Sequence, residues 1–353
     1  MFKRQTELIT KQPHRSLSGE MARSAYNILN IQKGSAFMRF AKLHGLGNDY
    51  VCINCLEEMV NDPEKLARDV CRRRFSVGAD GLLLIKPSCR ADFFMEMYNP
   101  DGSRGAMCGN GIRCFAKYIY DNALAGHSDD MLIETDSGIK QVRLHIENDR
   151  VQEVTVDMGE PVIYINKTSP ADEDVANGRQ ERRIGQEAFG TTDCIASSQR
   201  GCLLKSMSDM GVTGNIYMTL CKKDINIDVI NVSVGNPHAV VFCDDVKKAD
   251  VMRLGRMIEN HEYYPERTNV EFVRVVNRDL VEMRVWERGA GETLACGTGA
   301  CAACAAAIAA GKVNNNIGVV LPGGELNISY EPEGGHLFLR GPACEVYRGE
   351  YYE

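Results

Sequence analysis

The chain repeats itself once, at long range. Cys296 follows Cys108 by 188 positions, and the same offset carries Gly47-Asn48 onto Gly235-Asn236, Met95 onto Met283, Tyr98 onto Trp286, and Gly109 and Gly111 onto Gly297 and Gly299. A Gly-Asn pair followed about sixty residues later by Cys-Gly-x-Gly, twice and with no relative insertion, predicts a duplicated domain whose halves face each other across a pseudo-twofold axis. The period is far too long for a solenoid. A length of 353 residues suits two domains of ordinary size.

Local patterns describe each half. After Cys108-Gly109-Asn110-Gly111, the apolar residues Ile112, Phe115, Ala116 and Ile119 fall at helical spacing, which predicts a helix with one buried face. After Cys296-Gly297-Thr298-Gly299 comes ACAACAAAIAAGKV, apolar on every side and closed by Gly311. A helix without a polar face must be surrounded by protein. The segments 92–99, 280–286, 318–322 and 326–330 read as strands. The fold class predicted is α+β: two pseudo-symmetric domains, each a mostly antiparallel, barrel-like sheet wrapped around a central helix. The expected limits are 38–152, with 342–353 returning to it, and 153–341, with a polar insert near 166–200. Residues 1–37, rich in Lys and Arg but lacking the apolar run of a secretory signal, are expected to be a disordered extension.

Composition removes several function classes. No run of eighteen apolar residues occurs, so a membrane span is not expected. A net charge of −7 argues against a nucleic-acid partner, which needs clustered cations. Fourteen cysteines in so long a chain read as buried small hydrophobes in a reducing cytoplasm rather than as a disulfide scaffold. Cys301 and Cys304 form a CxxC without a second pair at zinc-site spacing, so no metal site is expected.

The place of Cys108 and Cys296 has chemical consequences. Each sits where a glycine turn feeds a helix start, where unpaired N–H groups and the positive dipole end bind carboxylates and favour thiolate. Two such ends meeting at a domain interface can grip one carboxylate and set a thiol on each face of the adjacent carbon. The reaction this suits is proton abstraction beside a carboxylate on one face and proton delivery on the other.

HGLGNDY (44–50), YNPDGSRGAMCGNGIRC (98–114), VSVGNPHAVVF (232–242), PERTNVEFV (265–273), ERGAGETLACGTGACA (287–302) and LPGGEL (321–326) together resemble the diaminopimelate epimerase family, in order from Met38 to the C-terminus. The resemblance implies the fold of that family and interconversion of LL- and meso-2,6-diaminopimelate, in lysine and peptidoglycan precursor synthesis, without pyridoxal phosphate, other cofactor or metal. It assigns Cys108 and Cys296 as the acid–base pair, with His238 partnering Cys108 and Glu287 partnering Cys296. It gives the backbone of Gly109, Asn110, Gly297 and Thr298 to the reacting carboxylate and Asn48 to its amino group. Asn99, Asn236, Asn269 and Arg288 go to the distal end, where amine and carboxylate need donors and acceptors together. Taken singly, the asparagines suit turns, His238 suits a core, and Glu287 with Arg288 suits a solvated surface. Some family members carry Gln where this chain has Gly81, the 188-offset mate of Asn269, so that position borders the pocket. The partners expected are a small-molecule substrate and a second copy in a homodimer. A racemase of another amino acid and a thiol redox protein are the competing readings, the second weakened by the want of a thioredoxin-like CxxC on a βαβ unit.

Overall fold

The computed structural model describes residues 37–126, 128–164, 217–222 and 225–352. The expectations for the N-terminal extension (bar Phe37) and for the 166–200 insert lie outside the described residues.

In the first half the elements are β1 (Met38–Gly45), β2 (Asn48–Asn54), α1 (Pro63–Val70), β3 (Gly81–Lys86), β4 (Phe93–Tyr98) and the short β5 (Arg104–Gly105). Helix α2 (Gly109–Asp121) follows, then β6 (Asp130–Thr135), β7 (Gly138–Glu147) and β8 (Arg150–Gly159). The second half runs β9 (Val162–Ile163), β10 (Tyr217–Lys222), β11 (Ile225–Ser233), β12 (Pro237–Phe242), α3 (Val251–Glu259), β13 (Asn269–Asn277), β14 (Leu280–Glu287) and β15 (Gly291–Thr293). Helix α4 (Gly297–Ala309), β16 (Asn316–Leu321), β17 (Gly324–Glu331), β18 (His336–Pro342) and β19 (Cys344–Tyr351) complete it. The 188-residue offset maps α2 onto α4 residue for residue.

Pairing repeats as well. In the first half the strands neighbour one another in the order β19, β1, β2, β3, β4, β6, β7, β8, antiparallel except for the parallel β2–β3 and β4–β6 pairs. In the second, β11, β12, β13, β14, β16, β17 and β18 follow the same order, with β12–β13 and β14–β16 parallel. The last strand, β19, returns to β1 of the first half. Strand β8 pairs with β7 on one edge and β18 on the other, joining the halves into one sheet.

Each half of the sheet curls around its long helix. Helix α2 packs against β1, β2, β3, β7, β8, β18 and β19, and α4 against β11 to β14 and β16 to β18. Every residue of α4 from Ala300 to Ala307 is fully buried, so alanine and cysteine are there because larger side chains would not fit between helix and sheet. Helix α2 departs from the one-faced pattern expected of it. Arg113 and Lys117 are buried beside Ile112, Phe115 and Ile119, each cation satisfied by carbonyl or carboxylate oxygens rather than by water. Both helices end alike. Lys312 N–H closes onto Ala307 O at 2.9 Å past Gly311 at φ +67°, and Leu124 N–H closes onto Ile119 O at 3.0 Å past Ala123 at φ +52°.

Candidate functional site

The starts of α2 and α4 meet end to end. A Cβ built on Gly297 would lie 3.3 Å from the Gly109 Cα and 3.0 Å from Leu339 Cδ1, so the two backbones approach as only glycine permits. Asn110 reaches across, its Nδ2 donating to Ala295 O at 3.1 Å. Cys108 and Cys296 are the N-caps of the two helices, both in extended conformation. The duplication therefore brings the two thiols of the sequence pattern to one junction.

Around each thiol a matching network forms. The Tyr50 hydroxyl lies 2.8 Å from Cys108 Sγ and also donates to Asn48 Oδ1. Asn110 Nδ2 donates to the same Asn48 oxygen at 3.2 Å, and Asn48 Nδ2 donates to Asp80 at 3.0 Å. Across the junction Asn236 Nδ2 donates to Thr298 Oγ1 at 3.4 Å, and Thr298 Oγ1 is 3.5 Å from Cys296 Sγ. His238 Nε2 is 3.0 Å from Asn236 Oδ1, and its Nδ1 is 2.7 Å from Glu271 Oε1. The repeat offset makes Asn48 and Asn236, Asn110 and Thr298, and Tyr50 and His238 counterparts. The hydroxyl on Cys108 is thus that of Tyr50, whereas the hydrogen bonds of His238, which the family pattern gives to Cys108, go to Glu271 and Asn236.

Electrostatics here are governed by the loss of water. Burial pushes the Cys296 thiol well above its ordinary value, with the carboxylates of Glu287 and Glu271 adding to it and Thr298 and the Gly299 N–H pulling back. Cys108 is raised as well, foremost by desolvation, against the pull of Tyr50 and of the Gly111 and Asn110 amides. The helix starts do favour thiolate, as the sequence led one to expect, but exclusion of water outweighs them. Burial likewise raises Glu287, whose hydrogen bonds to Thr293 and Cys296 draw it part of the way back. Glu271, fully buried, is raised by desolvation and partly restored by His238. Its Oε2 has no hydrogen-bond partner among the described residues.

Of the four residues expected at the distal end, Asn236 lies instead in the network around Cys296, and the other three hydrogen-bond to neighbouring protein groups. Asn99 Nδ2 donates to Ser103 Oγ at 3.0 Å within the turn between β4 and β5. Asn269, at the start of β13, donates to Pro237 O at 3.0 Å and accepts from Arg288 N at 3.0 Å. Arg288 is exposed and donates from Nη1 to Glu266 O at 3.1 Å. Three contributors were not singled out from sequence: Tyr50, Glu271 and Arg113. The offset pairs Tyr50 with His238 and could have exposed it. Glu271 is a carboxylate in the apolar run NVEFV, itself a signal, whereas Arg113 carried none. Among the described residues no cluster of three His, Cys, Asp or Glu side chains could hold a metal ion, and no helix is long and apolar enough to cross a membrane.

Known proteins resemble this chain along most of its length. The family model for diaminopimelate epimerase matches residues 40–164 and 230–346. Diaminopimelate epimerase from Agathobacter rectalis is 42% identical over 313 residues, 89% of this chain and 99% of the relative. That from Moorella thermoacetica is 42% identical over 315 residues, with 89% and 99% covered. A crystal structure of a hydroxyproline epimerase from Agrobacterium vitis shares the fold at TM-score 0.62 and 12% identity, covering 90% of this chain and 93% of that one. By the match along both halves of its length, the chain belongs to the diaminopimelate epimerase family.

Proposed function

We infer that the protein is an isomerase that interconverts LL- and meso-2,6-diaminopimelate, serving lysine and peptidoglycan precursor synthesis in the cytoplasm. The observation that carries this reading is the end-to-end meeting of two helix starts, each capped by a cysteine, in a chain of this family. The substrate's reacting carboxylate binds the N–H groups of Gly109, Asn110, Gly297 and Thr298, with Asn48 at the amine. One sulfur, as thiolate, takes the α-proton and becomes a thiol. The electron pair left on carbon delocalises into the carboxylate, held by the aimed backbone donors. The opposite thiol then gives its proton to the other face and becomes thiolate, so the centre inverts and the protons balance. Glu287, beside Cys296, takes the proton that must leave this sulfur before it acts as base. His238, buried and ordered by Glu271 and Asn236, orients the second network. A raised thiol value makes the thiolate scarce but strongly basic, which suits an α-proton of very low acidity. In this reading Asn236, Asn99 and Arg288 exchange the internal hydrogen bonds they make here for the distal amino-acid head when substrate binds. Asn269 acts on that end through the Arg288 backbone it holds.

The test is conversion of purified LL-diaminopimelate, followed by chiral chromatography. The reading predicts approach to a mixture with the meso form and no inversion of lysine or proline. Equal turnover of single-headed amino acids would overturn the substrate assignment.

A further inference from the structure

The ring of Tyr50 stands between two glycines. A Cβ on Gly81 would lie 3.2 Å from both Tyr50 Cδ1 and Cε1 and 3.0 Å from Tyr98 O, and one on Gly111 would lie 3.5 Å from Tyr50 Cζ and from Cys108 Cβ. The bare backbone at position 81 leaves the ring its place, and the ring carries its hydroxyl to within 2.8 Å of Cys108 Sγ. That one hydroxyl has two neighbours able to accept, the sulfur and Asn48 Oδ1.

We propose that Tyr50 is a positioning residue for Cys108, a hydroxyl rotor whose hydrogen points to Asn48 while the sulfur is a thiol and turns to the sulfur when it is a thiolate. No bond breaks in the rotor. When Cys108 gives up its proton, the phenolic hydrogen rotates onto the new lone pair. When Cys108 regains a proton, the S–H donates to the phenolic oxygen and the hydroxyl returns to Asn48. Burial and the neighbouring sulfur push the phenol well above its ordinary value, so it stays a donor throughout. At the counterpart seat in the other half stands His238, an imidazole bound to a carboxylate. Cys108 thus has a phenol directly on its sulfur, whereas His238 reaches Cys296 only through Asn236 and Thr298.

The experiment is the pH dependence of iodoacetamide alkylation at Cys108, read peptide by peptide by mass spectrometry on the full chain. The charged or titratable groups around this sulfur are Tyr50 from β2, Glu287 from β14, and Arg113 and Cys114 from α2. In Tyr50→Phe the ring stays and the donor goes. The midpoint at Cys108 should move up by about one pH unit, tenfold in thiolate fraction, with that of Cys296 unmoved, kcat lower by about tenfold and KM little changed. A Cys108 midpoint that stays in place overturns the proposal. If Tyr50→Phe does not fold, Gly81→Ala carries the test, since its methyl must push the ring away while the hydroxyl is kept. It too should raise the Cys108 midpoint, and an unmoved one again overturns the proposal. The inference rests on the epimerase reading for its effect on kcat but not for the alkylation midpoint. A wild type that inverts no diaminopimelate would sink the former alone.

Discussion

Gly297→Ala probes the junction of the two helix starts. The added methyl would sit 3.0 Å from Leu339 Cδ1 and 3.3 Å from Gly109 Cα, and the second neighbour is backbone that cannot rotate away. At Gly109 the same change places the methyl 3.5 Å from Gly297 Cα and 3.6 Å from Leu339 Cδ1, ordinary contact distances. Overpacking a tight core costs about 1–3 kcal/mol. Replacing glycine where the backbone is compatible returns about 0.4–1 kcal/mol through the unfolded chain. Gly297→Ala should therefore lose about 1–2 kcal/mol net, while Gly109→Ala should be neutral or slightly stabilising. Parting the helix ends by a few tenths of an ångström also moves the sulfurs relative to the carbon between them. Since about 1 Å of misplacement can cost 10²-fold, roughly tenfold in kcat is expected for Gly297→Ala. Urea unfolding with steady-state epimerisation of both variants reads the two effects. Equal stability and activity of the two would refute the argument from close approach.

Arg113→Met removes donors to Pro342 O, Gly109 O and Asn110 Oδ1 from a fully buried position, and should cost about 2–4 kcal/mol in urea unfolding and impair activity through Asn110. Wild-type stability there would show that the guanidinium is dispensable. Ala123→Gly relieves the left-handed cap of α2 that Gly311 already relieves in α4, and should raise stability by about 0.5–1 kcal/mol with unchanged activity. A loss of stability would contradict the cap reading. In wild type, alkylation should climb with pH above the ordinary thiol range and reach Cys108 before Cys296, because Cys108 is half-buried and less strongly shifted, whereas Cys296 is buried. Cys55, Cys71, Cys114 and Cys301 are raised to about 12 by burial. Since the folded values lie above the unfolded one, the stability they contribute is complete below about pH 8.5 and lost as pH climbs toward 12. The melting temperature should fall across that window, and a flat profile would count against buried thiols.

The duplication made the fold legible, because an offset that matches Cys-Gly-x-Gly and Gly-Asn also fixes where helices and hairpins recur. The offset makes Asn48 and Asn236 counterparts, as it does Cys108 and Cys296, yet the family pattern sends Asn236 to the distal end, whereas its side chain lies against Thr298, beside Cys296. Periodicity was weaker inside α2. The apolar spacing of Ile112, Phe115 and Ile119 marks one face, but nothing in it shows that β18 and β19 cover Arg113 from the other side, because that closure comes from a strand more than two hundred residues away. Net electrostatics was hidden for a similar reason. A helix start is visible in sequence, and its downward pull on a thiol follows, but the depth of water exclusion around Cys108 and Cys296 depends on the whole closed junction. Asn99 and Asn269 show the remaining ambiguity, since the turn chemistry that favours asparagine and the ligand chemistry that uses it ask for the same residue.

Deuterium incorporation from heavy water at the α-carbon, compared among wild type, Cys108→Ala and Cys296→Ala with each stereoisomer supplied separately, is the sharpest probe of a two-sulfur proton exchange. Wild type should label the carbon and invert it from either isomer, and each single variant should lose inversion. A variant lacking one sulfur that still interconverts the isomers at near wild-type speed would show that a single thiol suffices and that the facing arrangement is not the catalyst.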